Sequence, residues 1–298
     1  MKKKKFLALT LIFFFGFTLS AQNQFSSEDD LKKQALQLFE EKKFVEATPL
    51  FAQLLSLYPK EAEYNFKYGA CLLASNPDKE KAIKYLEFAN PSSGISPLVH
   101  YYLGRAYHLN YDFAKAVKQY SNFKRKASSK EVEEYQVDRK IEMSKNGNQL
   151  LSKLNEVQVL DVQEIAEKDF FRVYKLEGIN GKIISKPSDF QSKYDQKTEE
   201  KSVIFLPNDA NEVYYSSYGK KGDNGKDIYK SIKLGNGQWS EGVSIGNSIN
   251  TQFDEDYPFI HPDGRTLYFA SKGHNSMGGY DLFKSTFDET TGQWLTPE

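Results

Sequence analysis

The sequence predicts a multidomain α + β chain, an N-terminal α-solenoid followed by part of a β-propeller, and two internal repeats carry that prediction. In the first, alanines recur at Ala47, Ala82 and Ala116, spaced 35 and 34 residues apart within helical periodicity. In the second, residues 205–231 and 259–285 lie over one another without a gap at a fixed offset of 54 residues. Units of this length cannot bury their faces alone and are stable only when stacked. Function is therefore sought on surfaces that several units build together.

Residues 1–21 read as a secretory signal peptide: lysines from Lys2 to Lys5, an apolar run from Phe6 to about Leu19, and small residues at Ser20-Ala21 before Gln22. The run is shorter than the ~20 residues a spanning helix needs, and no second one follows, so a soluble, exported chain is expected. Basic and acidic residues balance at 40 each. No long block of one sign is present, which argues against a nucleic-acid partner. Cys71 is the single cysteine, so an intramolecular disulfide is excluded. Its neighbours Ala70, Leu72 and Leu73 predict a packed thiol.

Residues 22–155 are expected to be helical. Each unit carries a small residue in its first helix, at Ala35, Gly69 and Gly104, and a large residue four places after each alanine of the second, at Phe51, Leu86 and Tyr120. Small residues let two antiparallel helices approach closely, and the large residue one turn on fills the space between hairpins. Ser128 with Glu131 has the spacing of a capping box opening another helix, in a stretch charged enough to close the end of a solenoid.

This pattern resembles the tetratricopeptide repeat family, with three units over residues 29 to about 125 and Pro59 in place of the family's closing proline. The resemblance implies a concave groove lined by Lys32, Phe39, Phe66, Tyr101, Arg105 and His108. For Phe39 and Phe66, ordinary core between repeats competes with that reading. Lys32, Tyr101, Arg105 and His108 are the candidate protein-binding residues, the last three sharing one helix face. A basic, aromatic groove suits an extended peptide or a carboxylate-bearing terminus.

Residues 156–200 change character: the β-branched runs VQVLDV, FFRVYKL and GKIIS predict short strands, and a polar stretch after them a linker. Residues 201–298 read as two propeller blades. Tyr214 pairs with Tyr268, Ser217 with Ser271, Gly219 with Gly273 and Asp227 with Asp281, and Trp239 and Trp294 extend the match. Pro262-Asp263-Gly264 is the expected hairpin turn between two strand runs. Closed propellers use about four to eight blades, so two copies predict a fragment or a sheet completed by something else.

The segment from Asn250 to Ser285 resembles the periplasmic WD40-like repeat of the TolB type through Asp254-Glu255-Asp256, Pro258, Pro262-Asp263-Gly264 and Gly279-Tyr280-Asp281-Leu282. The order of signal, helical units and blades resembles exported Bacteroidetes proteins, among them the PorE type of type IX secretion component. That resemblance implies a non-enzymatic, periplasmic, outer-membrane-associated scaffold without a cofactor, whose partners are envelope or secretion-system proteins. It also leaves open peptidoglycan or glycan attachment, through an additional domain or a tyrosine-lined face of the blades, and the accessory propeller of an exported hydrolase.

Other candidate chemistry is weak. Asp254, Glu255 and Asp256 lack the spacing of a calcium loop and are expected to be solvated turn residues. His261 and His274 show no metal-ligand spacing. Ser216, Ser217 and Ser271 lie in no nucleophile elbow, and Gly273, Gly278 and Gly279 precede no helix that could receive a phosphate. No catalytic, cofactor or metal site is therefore expected.

Overall fold

A computed structural model describes residues 27–152, 162, 164–166, 178–198, 202–220, 222 and 225–298. The signal segment and the runs VQVLDV and FFRVYKL lie outside the described residues, apart from Val162.

Three helical hairpins open the fold: α1 (Glu28–Glu40) with α2 (Phe44–Leu57), α3 (Ala62–Ser75) with α4 (Lys79–Ala89), and α5 (Leu98–Leu109) with α6 (Phe113–Lys126). Their starts are fixed by polar caps, with Ser27, Asp78 and Asp112 accepting backbone N–H groups that the helices leave unpaired. Within the hairpins, small faces large as the sequence predicts. A Cβ added to Gly69 would stand 2.7 Å from Leu86, and one added to Gly104 would stand 2.8 Å from the Tyr120 ring. Ala35, Phe51, Leu86 and Tyr120 are buried in one continuous core.

Ser128 forms the capping box, its hydroxyl accepting the Glu131 N–H while the Glu131 carboxylate accepts the Ser128 N–H. The helix it opens, α7 (Ser129–Glu134), is short, because Gln136 takes a left-handed φ of 48° and turns the chain into α8 (Val137–Leu151). Tyr101 of α5 meets Tyr135 with ring centroids 4.6 Å apart, and His108 of α5 meets Ser144 of α8 at 2.8 Å. The two helices therefore run in the same direction, and α8 occupies the place of a next repeat's first helix. Among the described residues, no helix is long and apolar enough to cross a membrane.

The remainder is a curled antiparallel sheet region. Strand β1 (Gly181–Ser185) pairs with β2 (Val203–Pro207). A 3-10 turn at Ser188–Phe190 and the short helix α9 (Lys193–Lys197) stand between them. The first copy of the repeat continues as β3 (Glu212–Ser217), β4 (Asp227–Ile232) and β5 (Val243–Ser244). The second is a complete four-stranded meander of β6 (Glu255–Ile260), β7 (Thr266–Ser271), β8 (Asp281–Asp288) and β9 (Gln293–Trp294). The copies differ at one strand, since β6 ladders with β7 whereas β2 ladders with β1. The turn at Asp263 forms as expected, its carboxylate accepting the N–H groups of Arg265 and Thr266 while Gly264 takes a φ of 72°.

The two copies pack face to face. Leu267, Phe269 and Phe283 of the second close on Ile228 and Tyr214 of the first, with Ile249 and Trp294 filling the edge. This arrangement is consistent with part of a propeller.

Candidate binding site

Of the four groove residues named from sequence, Tyr101, Arg105 and His108 share helix α5 but meet different surroundings, and Lys32 lies on α1. Lys32 is exposed on α1. It lies eight residues, about 12 Å of helix rise, before Glu40 at the other end of that helix. Tyr101 is half-buried and packed against Tyr102, Phe123 and Tyr135. Its ring is wall rather than open contact surface.

His108 is not a groove residue. Its Nδ1 faces the Ser144 hydroxyl at 2.8 Å and its Nε2 faces the Met277 carbonyl oxygen at 2.9 Å. Burial pushes its pKa below the usual value, the Met277 contact opposes that, and the Lys140 charge adds to it. Sequence could not show this, because Met277 lies 169 residues away. The histidine belongs to a seam joining the helices to the second sheet. In the same seam the Arg139 guanidinium lies 3.1 Å over the Phe253 ring and donates to the Lys272 carbonyl at 2.5 Å. Such stacking with a fixed hydrogen bond is a use for which arginine is suited and lysine is not.

Arg105 is half-buried one turn before His108. Since α5 and α8 run in register, Arg105 comes opposite Lys140, which lies one turn before Ser144. Lys140 has its pKa held below the ordinary lysine range, by burial first and then by the Arg105 and Arg139 charges. Neither Arg105 nor Lys140 has a carboxylate partner among the described residues. Two facing cations of this kind repel one another, and an anion between them would relieve that repulsion. Lys140 and Arg139 escaped the sequence reading because their stretch looked like a solvated closing helix.

Phe39 and Phe66 are core, at 6% and 1% exposure. Lys67 is buried beside them, 4.2 Å over the Phe39 ring and 3.2 Å from Glu63. The Cys71 thiol is packed, burial pushing its pKa up to about 12.

The acidic run in the second copy is a further correction. Rather than being solvated, Glu255 and Asp256 are 0% and 1% exposed. Glu255 accepts the Thr251 N–H and the hydroxyls of Thr251 and Ser271. Asp256 accepts the Ser216 hydroxyl and pairs with Lys226 at 2.7 Å. The first copy has a counterpart in Asp195, which accepts the Ser217 hydroxyl and the Tyr218 N–H. Burial alone would raise the Asp195 pKa, but these hydrogen bonds and the Lys186 charge outweigh it. The repeated serines are thus staples that tie strand ends to buried carboxylates, each satisfying the other. His274 is turned to the Ile249 carbonyl oxygen, and His261 stands in the turn beside Asp263.

No family model and no curated protein matches the chain. Among solved structures, it is similar to the Sgt2 TPR domain from Aspergillus fumigatus at 21% identity, over 48% of this chain and 92% of that one, with a TM-score of 0.34. The repeat reading rests on the hairpins themselves, with Gly69 against Leu86, Gly104 against Tyr120, and Ala35 and Phe51 buried in the same core. The chain is a tetratricopeptide-like helical repeat region followed by a curled antiparallel sheet region.

Proposed function

We propose that this protein is a non-enzymatic scaffold of the bacterial envelope, exported to the periplasm and associated with the outer membrane, whose helical region holds an acidic segment of a protein partner. The observation that carries the reading is the facing pair Arg105 and Lys140, half-buried and without a carboxylate partner among the described residues. Desolvated cations gain most from a charge-assisted hydrogen bond, and a peptide carboxylate offers one in an extended-segment binding mode. The resemblance of the sequence to PorE-type components is what suggests a role in type IX secretion or envelope organisation. The seam through His108 and Arg139 fits the same view, since it ties the helices to the second sheet.

The test is the affinity of the purified chain for a fluorescent peptide with an acidic, free C-terminus. Arg105→Ala should weaken binding by about 1.5–3 kcal/mol with an unchanged melting curve. An amidated peptide that binds as well as the free acid, or equal affinity in wild type and variant, would refute the reading.

A further inference from the structure

His108 is a titratable group held where the helical region meets the second sheet, and the peptide-binding reading does not use it. Three contacts make up that seam. His108 of α5 meets the Met277 carbonyl oxygen, Arg139 of α8 covers the Phe253 ring and donates to the Lys272 carbonyl, and Met143 of α8, 6% exposed, closes on Gly278. A Cβ on Gly278 would run into the Met143 methyl, so the close approach depends on glycine. Lys272, Met277 and Gly278 all belong to the loop between β7 and β8.

The hydrogen bonds of the ring are complete in its neutral form. A carbonyl oxygen only accepts, so Nε2 carries the hydrogen that faces Met277, and Nδ1 is left to accept from the Ser144 hydroxyl. A second proton would reverse the Ser144 bond. The hydroxyl could then donate to the Lys140 carbonyl, 2.8 Å away, so bonding alone does not forbid it. The added charge is what the surroundings oppose. Arg105 lies on the same helix, Lys140 and Arg139 come from α8, and α6 contributes the uncharged Phe113 ring at 5.1 Å. Glu142 of α8 is exposed and acts on Arg139. From the sheet, Lys272 is a further cation, paired with Asp254, and the Asp281 carboxylate accepts the Met277 N–H at 2.7 Å.

We propose that His108 is an acid-sensitive catch: a proton on its ring releases the loop between β7 and β8 from α5 and α8, so that the seam opens while the helical core stays folded. In the closed seam, burial and the Lys140 charge hold the ring's pKa below its usual value. In an open seam the hydrated ring returns to about 6.5. The contribution of His108 to closure is therefore complete above about pH 6.5 and declines as pH falls below it.

The experiment places a thiol in the seam of the full chain, as Met143→Cys, and uses the native thiol as control. Cys71 is 0% exposed in the helical core, so its labelling reports unfolding of the helices themselves. Labelling by a pyridyl disulfide that reacts in acid is followed by peptide mass spectrometry, with each rate divided by that of an unstructured peptide thiol. Between about pH 7.5 and about pH 5 the rate at position 143 should rise by up to about thirtyfold, while that of Cys71 stays level. His108→Gln, whose amide can donate to the same carbonyl but takes up no proton in this range, should abolish the rise. Should that variant open the seam at both pH values, Lys140→Met decides, since it keeps the ring, removes the charge that opposes its proton and should shrink the rise. Deuterium exchange of the loop 272–278 in the unsubstituted protein repeats the comparison without the new cysteine. A level rate at position 143, a rise retained in His108→Gln, or an equal rise at Cys71 would overturn the proposal. No peptide is present, so the outcome is separate from that of the binding experiment.

Discussion

Ile228 and Leu282 occupy the same position in the two copies, one repeat apart, yet Ile228 is 0% exposed and Leu282 is 86% exposed. Truncating each to alanine removes the same number of carbons, so the difference in cost isolates tertiary packing. At Ile228 the lost transfer energy is about 0.8 kcal/mol per methylene-sized group, and the cavity left between the sheets adds to it, for about 3–4 kcal/mol in all. At Leu282 nearly all of that surface is already in water, and the cost should stay within about 0.5 kcal/mol. Urea unfolding of the two variants, followed by tryptophan fluorescence, measures both numbers, and unchanged m-values confirm that the end states are comparable. A Leu282→Ala cost above about 2 kcal/mol would refute the reasoning, because that face would then be covered in solution. An Ile228→Ala cost near zero would refute the packing of one copy on the other.

Gly104→Ala should gain helix propensity of up to about 1 kcal/mol but force the buried Tyr120 ring to shift, for a net loss of about 1–2 kcal/mol in thermal unfolding; a raised melting temperature would contradict the close helix approach. Asp227 has its pKa raised to about 6, by burial and then by the Glu255 charge. Its charged form is therefore disfavoured in the fold, a penalty complete above pH 6 and absent once the group is protonated in both states, below about pH 4. Asp227→Asn should stabilise the protein by about 1–2 kcal/mol at pH 7, allowing for partial exposure, and by nothing below about pH 4. The same stabilisation at both pH values would show that charge is not the cause.

Most of the helical part was legible because its information is local. Glycine or alanine facing a large residue at a fixed spacing, and a serine three residues before a glutamate, specify contacts within a hairpin or a turn. The Pro262-Asp263-Gly264 turn is local in the same way. The acidic run at Asp254–Asp256 was misread because strand-entrance carboxylates look alike whether they meet water or a hydroxyl from another strand. Their partners Ser216 and Ser271 lie 40 and 16 residues away.

The sequence by itself determined the two repeats, the hairpin pairing and the copy-to-copy equivalence of strands, since periodicity and turn chemistry act over a few residues. Only the tertiary structure decided which equivalent positions are buried, that His108 serves a seam rather than a groove, and that Arg105 faces Lys140. Those outcomes depend on how α8 and the second sheet settle against α5. That packing joins residues far apart in the chain, and no local pattern encodes it.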